Sequence, residues 1–351
     1  MIKEKEIENR IEIRCREILG AVPFLTTGSI QRESLKYGIR PDLQIELSTG
    51  DRTLRIIIEV KAIGEPRIVR SAIQQLKEYV SNQQDAYGLV AAPYISTETA
   101  RLCKENNTGY IDLAGNCLIS FDRIYIERQN YVNPDVEKRT VRSIFSPKSS
   151  RILRVLLNNP GREWQVQQLA KEAGISLGLT SRIKERLLDL EYVRDVNKVI
   201  SINNPMQLLE KWVDNYSFLN NRMYDYFSFD SPRQTENKLA QYCKQNGTTY
   251  ALSLFSGAAL VAPYTRYNRG FAYVKANIPD LAAAMELKPV DSGPNFSILE
   301  PYDDGVFYAN TEMEEMSVVS DIQLYLDLVS YKGRGEEAAK FLLEQRIRPR
   351  W

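Results

Sequence analysis

The run Leu54-Arg55-Ile56-Ile57-Ile58-Glu59-Val60-Lys61 constrains the fold more than any other stretch of this chain. Its β-branched residues favour a strand. Side chains two apart share a face, so Ile56, Ile58 and Val60 point one way and Glu59 and Lys61 the other. Residues 41–47 form a second strand-like run, joined to the first by the turn Ser48-Thr49-Gly50-Asp51. The neighbouring segments alternate between helix and strand. An opening amphipathic helix turns Ile7, Ile11, Cys15, Ile18 and Leu19 inward, and a helix over 68–80 carries Ala72, Ile73, Leu76 and Val80 on one stripe. A strand at 87–91, a helix with Ser96 as N-cap, and strands at 109–113 and 117–127 complete an αββαβαβ order.

At 351 residues the chain suits two or three domains, and 43% apolar with 26% charged residues is a globular composition. The N-terminus reads as helix surface and no apolar run is long enough for a bilayer, so the expected location is cytoplasmic, with no membrane partner. Four scattered cysteines without a CxxC pair argue against thiolate zinc sites and disulfides. The chain has no histidine, which excludes Ser-His and Cys-His nucleophilic systems, HEXXH metalloproteases and histidine-based nucleases. A carboxylate, Lys, Tyr or metal-bound water must therefore serve as any general base. The net charge of +1 hides an asymmetry: from Lys138 to Lys198 there are 13 Lys/Arg against 6 Asp/Glu, a local +7, which leaves −6 for the rest. A basic centre between acidic ends is the pattern of a middle that touches a polyanion.

Asp42 opens the first strand of the hairpin, and antiparallel pairing brings it towards Glu59. Two carboxylates beside an ammonium suit a hard divalent cation. Asp42, Glu59 and the carbonyl of Val60 would hold Mg²⁺ or Mn²⁺, with Lys61 orienting water and stabilising charge on a scissile phosphate. The bland alternative is that Glu59 and Lys61 form a solvated surface pair worth under about 1 kcal/mol. Gln75 and Tyr79 follow, one turn apart on one helix face. Asp112 either adds an acid near this site or, the favoured reading, shapes the turn at Gly115 together with Asn116.

The pattern Pro41-Asp42 … Glu59-Val60-Lys61, followed by Gln75-Leu76-Lys77-Glu78-Tyr79, resembles the PD-(D/E)XK nuclease superfamily with the QxxxY element of its RecB-like members. The resemblance implies metal binding by Asp42 and Glu59, a catalytic Lys61, and a Gln75/Tyr79 helix that supports the site or contacts DNA. Many members add a first-helix Glu, for which Glu8, Glu12 and Glu17 all qualify.

From Ser149 the pattern is helix, helix, turn, helix, hairpin. Ile152, Leu153, Leu156 and Leu157 line the first helix; the second, 166–173, stops at Gly174. The third starts at Ser176 as N-cap, buries Leu179, Ile183, Leu187 and Leu190, and offers Thr180, Ser181, Arg182, Lys184 and Arg186 on its other face. Residues 192–202 read as a wing around Asn197-Lys198. The stretch resembles prokaryotic winged helix-turn-helix modules, which implies major-groove reading by that third helix and phosphate contacts from Lys198. An amphipathic module for protein contacts is the alternative.

Gly257 and the alanines after it suggest close helix packing, with no Walker or GxGxxG loop. Asp321 and Asp327 read as helix-cap and surface residues. Together with the winged helix, the tail from Asp321-Ile322-Gln323-Leu324-Tyr325-Leu326 through Gly333-Arg334-Gly335 looks like the AbiEi-type antitoxin and regulator family of type IV toxin–antitoxin systems. That implies operator binding and a nucleotidyltransferase toxin as partner. The chain itself lacks the GS…DxD signature of such an enzyme.

The expected architecture is an α/β, mixed-sheet PD-(D/E)XK core over 1–130, a linker over 131–148, a winged helix-turn-helix over 149–204 and an α+β domain over 205–351. Two functions compete. One is a metal-dependent endonuclease positioned by its winged helix in defence against foreign DNA, with a homodimer suited to cutting both strands. The other is a non-catalytic regulator or antitoxin with an inactive nuclease-like scaffold.

Overall fold

The computed structural model describes residues 4–32, 40–50, 52–81, 83, 85–133, 144–264 and 266–351, so part of the expected linker lies outside the described residues. The chain divides into two compact units, Met1–Thr140 with Asp189–Glu191, and Val141–Leu188 with Tyr192–Trp351. Among the described residues no helix is long and apolar enough to cross a membrane.

The first unit is a seven-stranded mixed sheet between helices, in agreement with the expected α/β class. Its elements run α1 (Glu4–Gly20), β1 (Thr26–Arg32), β2 (Leu43–Ser48), β3 (Thr53–Val60), α2 (Pro66–Ser81), β4 (Ala86–Ala92), α3 (Thr97–Glu105), β5 (Gly109–Asp112), β6 (Cys117–Phe121) and β7 (Ile124–Arg128). Spatial order follows chain order, with β3, β4 and β5 parallel and the remaining pairs antiparallel. Period-two alternation divides β3 between two cores. Ile56, Ile58 and Val60 join Ile7, Ile11, Cys15, Ile18 and Leu19 of α1, while Ile57 faces Val69, Ala72, Ile73 and Leu76 of α2. Ser96 caps α3 by accepting from the Thr99 N–H, as its position implied.

Two elements differ from the sequence reading. The edge strand β1 reads Thr-Thr-Gly-Ser-Ile-Gln-Arg, with no alternation, and takes its extended form from pairing with β2. The run over 117–127 is a hairpin: Asp122 turns the chain with φ of 51°, a left-handed conformation that Asp tolerates.

The second unit opens with α4 (Pro147–Asn158), α5 (Val166–Ala173) and α6 (Leu177–Asp189), then the wing β8 (Val193–Val196) and β9 (Val199–Ile202). Gly174 ends α5 in the left-handed region, and Trp164 bridges to Ile200 as a third wing segment. There follow α7 (Pro205–Val213), β10 (Arg222–Phe227), α8 (Pro232–Asn246), β11 (Thr249–Leu252), α9 (Leu254–Val261), β12 (Gly270–Lys275), α10 (Ile278–Ala284), β13 (Lys288–Pro289), β14 (Phe296–Glu300), β15 (Thr311–Met313), β16 (Met316–Val318), α11 (Asp321–Ser330) and α12 (Arg334–Leu342). The strands make one mixed sheet in the order β13-β10-β14-β12-β11-β16-β15. Close packing of α9 is visible at Gly257, where a Cβ would sit 3.0 Å from Leu324 Cδ1 and 3.1 Å from Val318 Cγ1.

Polar groups join the winged helix to this sheet. Arg154 of α4 is fully buried; it donates through Nε and Nη2 to Gln323 Oε1 and through Nη1 to Ser150 Oγ, and its guanidinium lies 4.9 Å from the Trp212 ring centroid. Gln323 Nε2 donates in turn to Asp327 Oδ1 and Tyr216 Oη. Asp327 also accepts from Tyr216, Tyr273 and Ser253. The expectation of a surface Asp327 is thus corrected: its carboxylate is wholly inside, stabilised there by four donors. The N-cap of α11 is Ser320, and Asp321 pairs with Arg346 and Arg350.

Arg154→Ala should therefore destabilise the protein by about 3–5 kcal/mol, since it empties a buried site and strands the oxygen of Gln323. A denaturant midpoint within error of wild type would refute the role of this residue. Burial pushes the Asp327 carboxyl up to about 6, against the hydrogen bonds that lower it. The folded state then binds more protons than the unfolded one between the ordinary carboxylate range and about pH 6, so this group's stabilisation is present at low pH and lost as pH rises through that window. In denaturation at pH 4.5 and 7.5, the stability gap between wild type and Asp327→Asn should be larger at pH 4.5.

Candidate functional site

The end of the β2–β3 hairpin gathers the expected acidic residues. Asp42 stands just before β2, and its Oδ2 accepts the Val60 N–H at 2.7 Å, which ties the carboxylate to the end of β3. Glu59 points from the α2-facing side of β3, and Lys61 Nζ donates to its Oε2 at 2.7 Å. The Glu59 side chain is 2% exposed, so the solvated surface pair is ruled out. Its other oxygen, Oε1, is buried with no hydrogen-bond partner among the described residues. Burial raises the Glu59 carboxyl above its ordinary range, opposed by the hydrogen bond from Lys61 and reinforced by Asp42. Two carboxylates and one ammonium converge here on a low-dielectric sheet end.

Gly64 lets the chain leave this point. A Cβ there would lie 2.0 Å from the Tyr94 carbonyl oxygen, so only glycine passes this close to the end of β4 on the way into α2. On α2, Gln75 Nε2 donates to Tyr79 Oη at 2.8 Å, so the two expected partners are joined to each other. Asp112 is fully buried and accepts from the N–H groups of Ile95, Gly115 and Asn116 and from Asn116 Nδ2, the turn-shaping role favoured above.

The donors suit a hard divalent cation in kind: carboxylate oxygens from Asp42 and Glu59, one of them unsatisfied, plus a backbone carbonyl at Val60. No first-helix acid completes a third carboxylate ligand. Glu12 is held by Arg16 and Arg32, Glu17 by Arg14, and Glu8 is buried; among the described residues no group of three or more His, Cys, Asp or Glu is placed to hold a metal ion. Two carboxylates are enough for Mg²⁺, which keeps several waters.

In the winged helix the expected DNA-facing side chains fall into two sets. Arg182 and the wing-tip Lys198 are exposed, and Arg186 and Ser181 are half-buried. Thr180 is corrected: it is fully buried, with its hydroxyl donating to the Ser176 carbonyl. Lys184 is also placed differently, because its ammonium pairs with Asp195 on the wing and with Glu185, which ties α6 to the hairpin. Arg154, which the sequence reading left unassigned, carries a signal in its position: a charge between Leu153 and Val155 in a helix buried along most of its length.

No curated protein matches the chain. The solved structure of EndoMS in apo form is similar over 32% of this chain and 46% of that one, at 15% identity and a TM-score of 0.23; the chain thus spans under half the length of that protein. Residues 201–348, the whole sheet of the second unit together with α7, α11 and α12, match the family described as transcriptional regulator, AbiEi antitoxin, Type IV TA system.

Proposed function

We propose that the protein is a DNA-binding transcriptional regulator of the AbiEi antitoxin kind. The observation that carries this reading is the winged helix, with Arg182 and Lys198 exposed, built into the same compact unit as the segment that matches the family. In this reading α6 enters the major groove, where Arg182 and Arg186 reach bases or phosphates and Ser181 a phosphate. Lys198 contacts the backbone from the wing. Lys184 positions the wing through Asp195 and does not itself touch DNA. The regulated partner is a nucleotidyltransferase toxin.

A second reading concerns the first unit, and the unpartnered Glu59 Oε1 favours it. Here the unit is a metal-dependent deoxyribonuclease. Asp42, Glu59 and the Val60 carbonyl hold Mg²⁺ or Mn²⁺, which when bound lowers the pKa of water and offsets phosphate charge. Lys61 exchanges its bond to Glu59 for the attacking water or the scissile phosphate. Gln75 supports the site through Tyr79, and Tyr79 contacts DNA. A homodimer would supply one such site to each strand.

Fluorescence anisotropy on duplex DNA tests the first reading. Arg182→Ala with Lys198→Ala should weaken binding and reduce the slope of log K against log salt by about 1 per lost phosphate contact. A double variant with the wild-type slope would exclude DNA contact by these side chains. For the second reading, calorimetry with Mn²⁺ should show uptake by wild type that Asp42→Ala and Glu59→Ala abolish, accompanied by plasmid nicking that Lys61→Ala removes. A wild type that takes up no Mn²⁺ leaves the regulator alone.

A further inference from the structure

A cavity of about 140 Å³ opens in the second unit, between the start of β12 and the turn from α11 into α12. Phe255, Phe271 and Tyr331 form its wall; Arg266, Lys332 and Arg334 stand around it, and no acid among the described residues lines it. The wall is held rigidly. The Tyr331 ring meets Phe255 edge-on at 5.1 Å and Phe271 at 5.9 Å. Behind them, the fully buried Glu236 accepts from Tyr267 Oη, another lining residue, and from Ser256 Oγ, which in turn accepts the Phe271 N–H. Arg269 lies over the Phe271 ring, already neutralised by Asp225.

The cationic side is arranged differently. Lys332 and Arg334 flank Gly333, whose φ of 78° reverses the chain, and both are exposed. Gly335 fixes the turn: a Cβ there would lie 2.3 Å from the Leu328 carbonyl oxygen and 2.8 Å from Tyr331 Cβ, so α12 must start hard against the end of α11. Among the described residues the side chains of Lys332 and Arg334 make no hydrogen bond or ion pair. The turn thus places two exposed cations beside an aromatic wall.

An aromatic surface next to a cationic rim is the combination that recognises a base carrying a phosphate: ring contact serves the base, and the cations serve the anion. The volume is below that of a pocket for a drug-sized ligand, about 300 Å³ or more, so only one ring system enters while the phosphate stays at the rim. We propose that this cavity binds a single nucleotide unit, with its base against Tyr331 and Phe255 and its phosphate on Lys332 and Arg334. The unit is a free nucleoside monophosphate or the terminal nucleotide of a single strand. This assignment is independent of the winged-helix and hairpin readings, since it uses none of their residues.

Calorimetry on the full-length protein tests it with the four nucleoside monophosphates, the parent nucleosides, inorganic phosphate and 5′-phosphorylated single-stranded trinucleotides. At least one nucleotide should bind saturably, with its nucleoside and phosphate alone each about tenfold weaker or worse. Tighter binding of a trinucleotide would assign the strand end as the source, and tighter binding of the monophosphate the free nucleotide. Lys332→Ala with Arg334→Ala should weaken that binding by about tenfold or more, while an unchanged thermal midpoint shows the fold intact, as both side chains are exposed. Tyr331→Leu should weaken nucleotide but not phosphate binding. The assignment fails if no nucleotide or trinucleotide binds, if phosphate alone matches the nucleotide, or if the double variant binds as wild type.

Discussion

The second unit depends on the way one buried cation is satisfied. Arg154 sits buried on α4 and, among the described residues, makes no ion pair. Gln323 stands between the guanidinium and Asp327: its carbonyl oxygen accepts from the arginine and its amide donates to the acid. The amide dipole therefore aligns with both charges, in a low-dielectric interior where such chains of hydrogen bonds strengthen one another. Removing any member would expose an unpaired buried group, so the winged helix and the sheet form one compact unit for electrostatic as much as for apolar reasons.

Two of the buried acids, Asp327 and Glu59, make an instructive contrast. Burial raises both carboxyls. Asp327 is enclosed by hydroxyl and amide donors from four residues, so its environment is complete and its role architectural. Glu59 has a lysine on one oxygen and, among the described residues, no hydrogen-bond partner on the other, beside a second carboxylate. Desolvation without full satisfaction costs stability and is retained where chemistry or ligand binding needs it. This asymmetry between two similar residues is a stronger pointer to function than the acidic composition of the hairpin alone.

Much of this was legible in the sequence, because local rules governed it. Period-two alternation separated Ile56, Ile58 and Val60 from Glu59, and helical spacing joined Gln75 to Tyr79. Gly174 and the Asn197-Lys198 turn, both left-handed, marked the helix-turn-helix and the wing. What escaped depended on which partner each group found. Strand β1 is extended only because β2 pairs with it. Lys184 looked free until Asp195, 11 residues on, took its charge. Thr180 satisfied its hydroxyl on its own helix and could face the core, and Asp327 found donors 54 to 111 residues away. A polar residue on a helix reads as surface unless its partners are known, and no periodicity encodes those.

The 169 residues between Arg154 and Gln323 also impose an order on biosynthesis. At about 5–20 residues per second, α4 leaves the ribosome on the order of ten seconds before α11 follows. During that interval the nascent winged helix holds its arginine in water, with the face meant for Gln323 and Trp212 uncovered. Its first helix is completed from the far side of the chain, so a product truncated after the wing would have the helix-turn-helix but not the seat that steadies it.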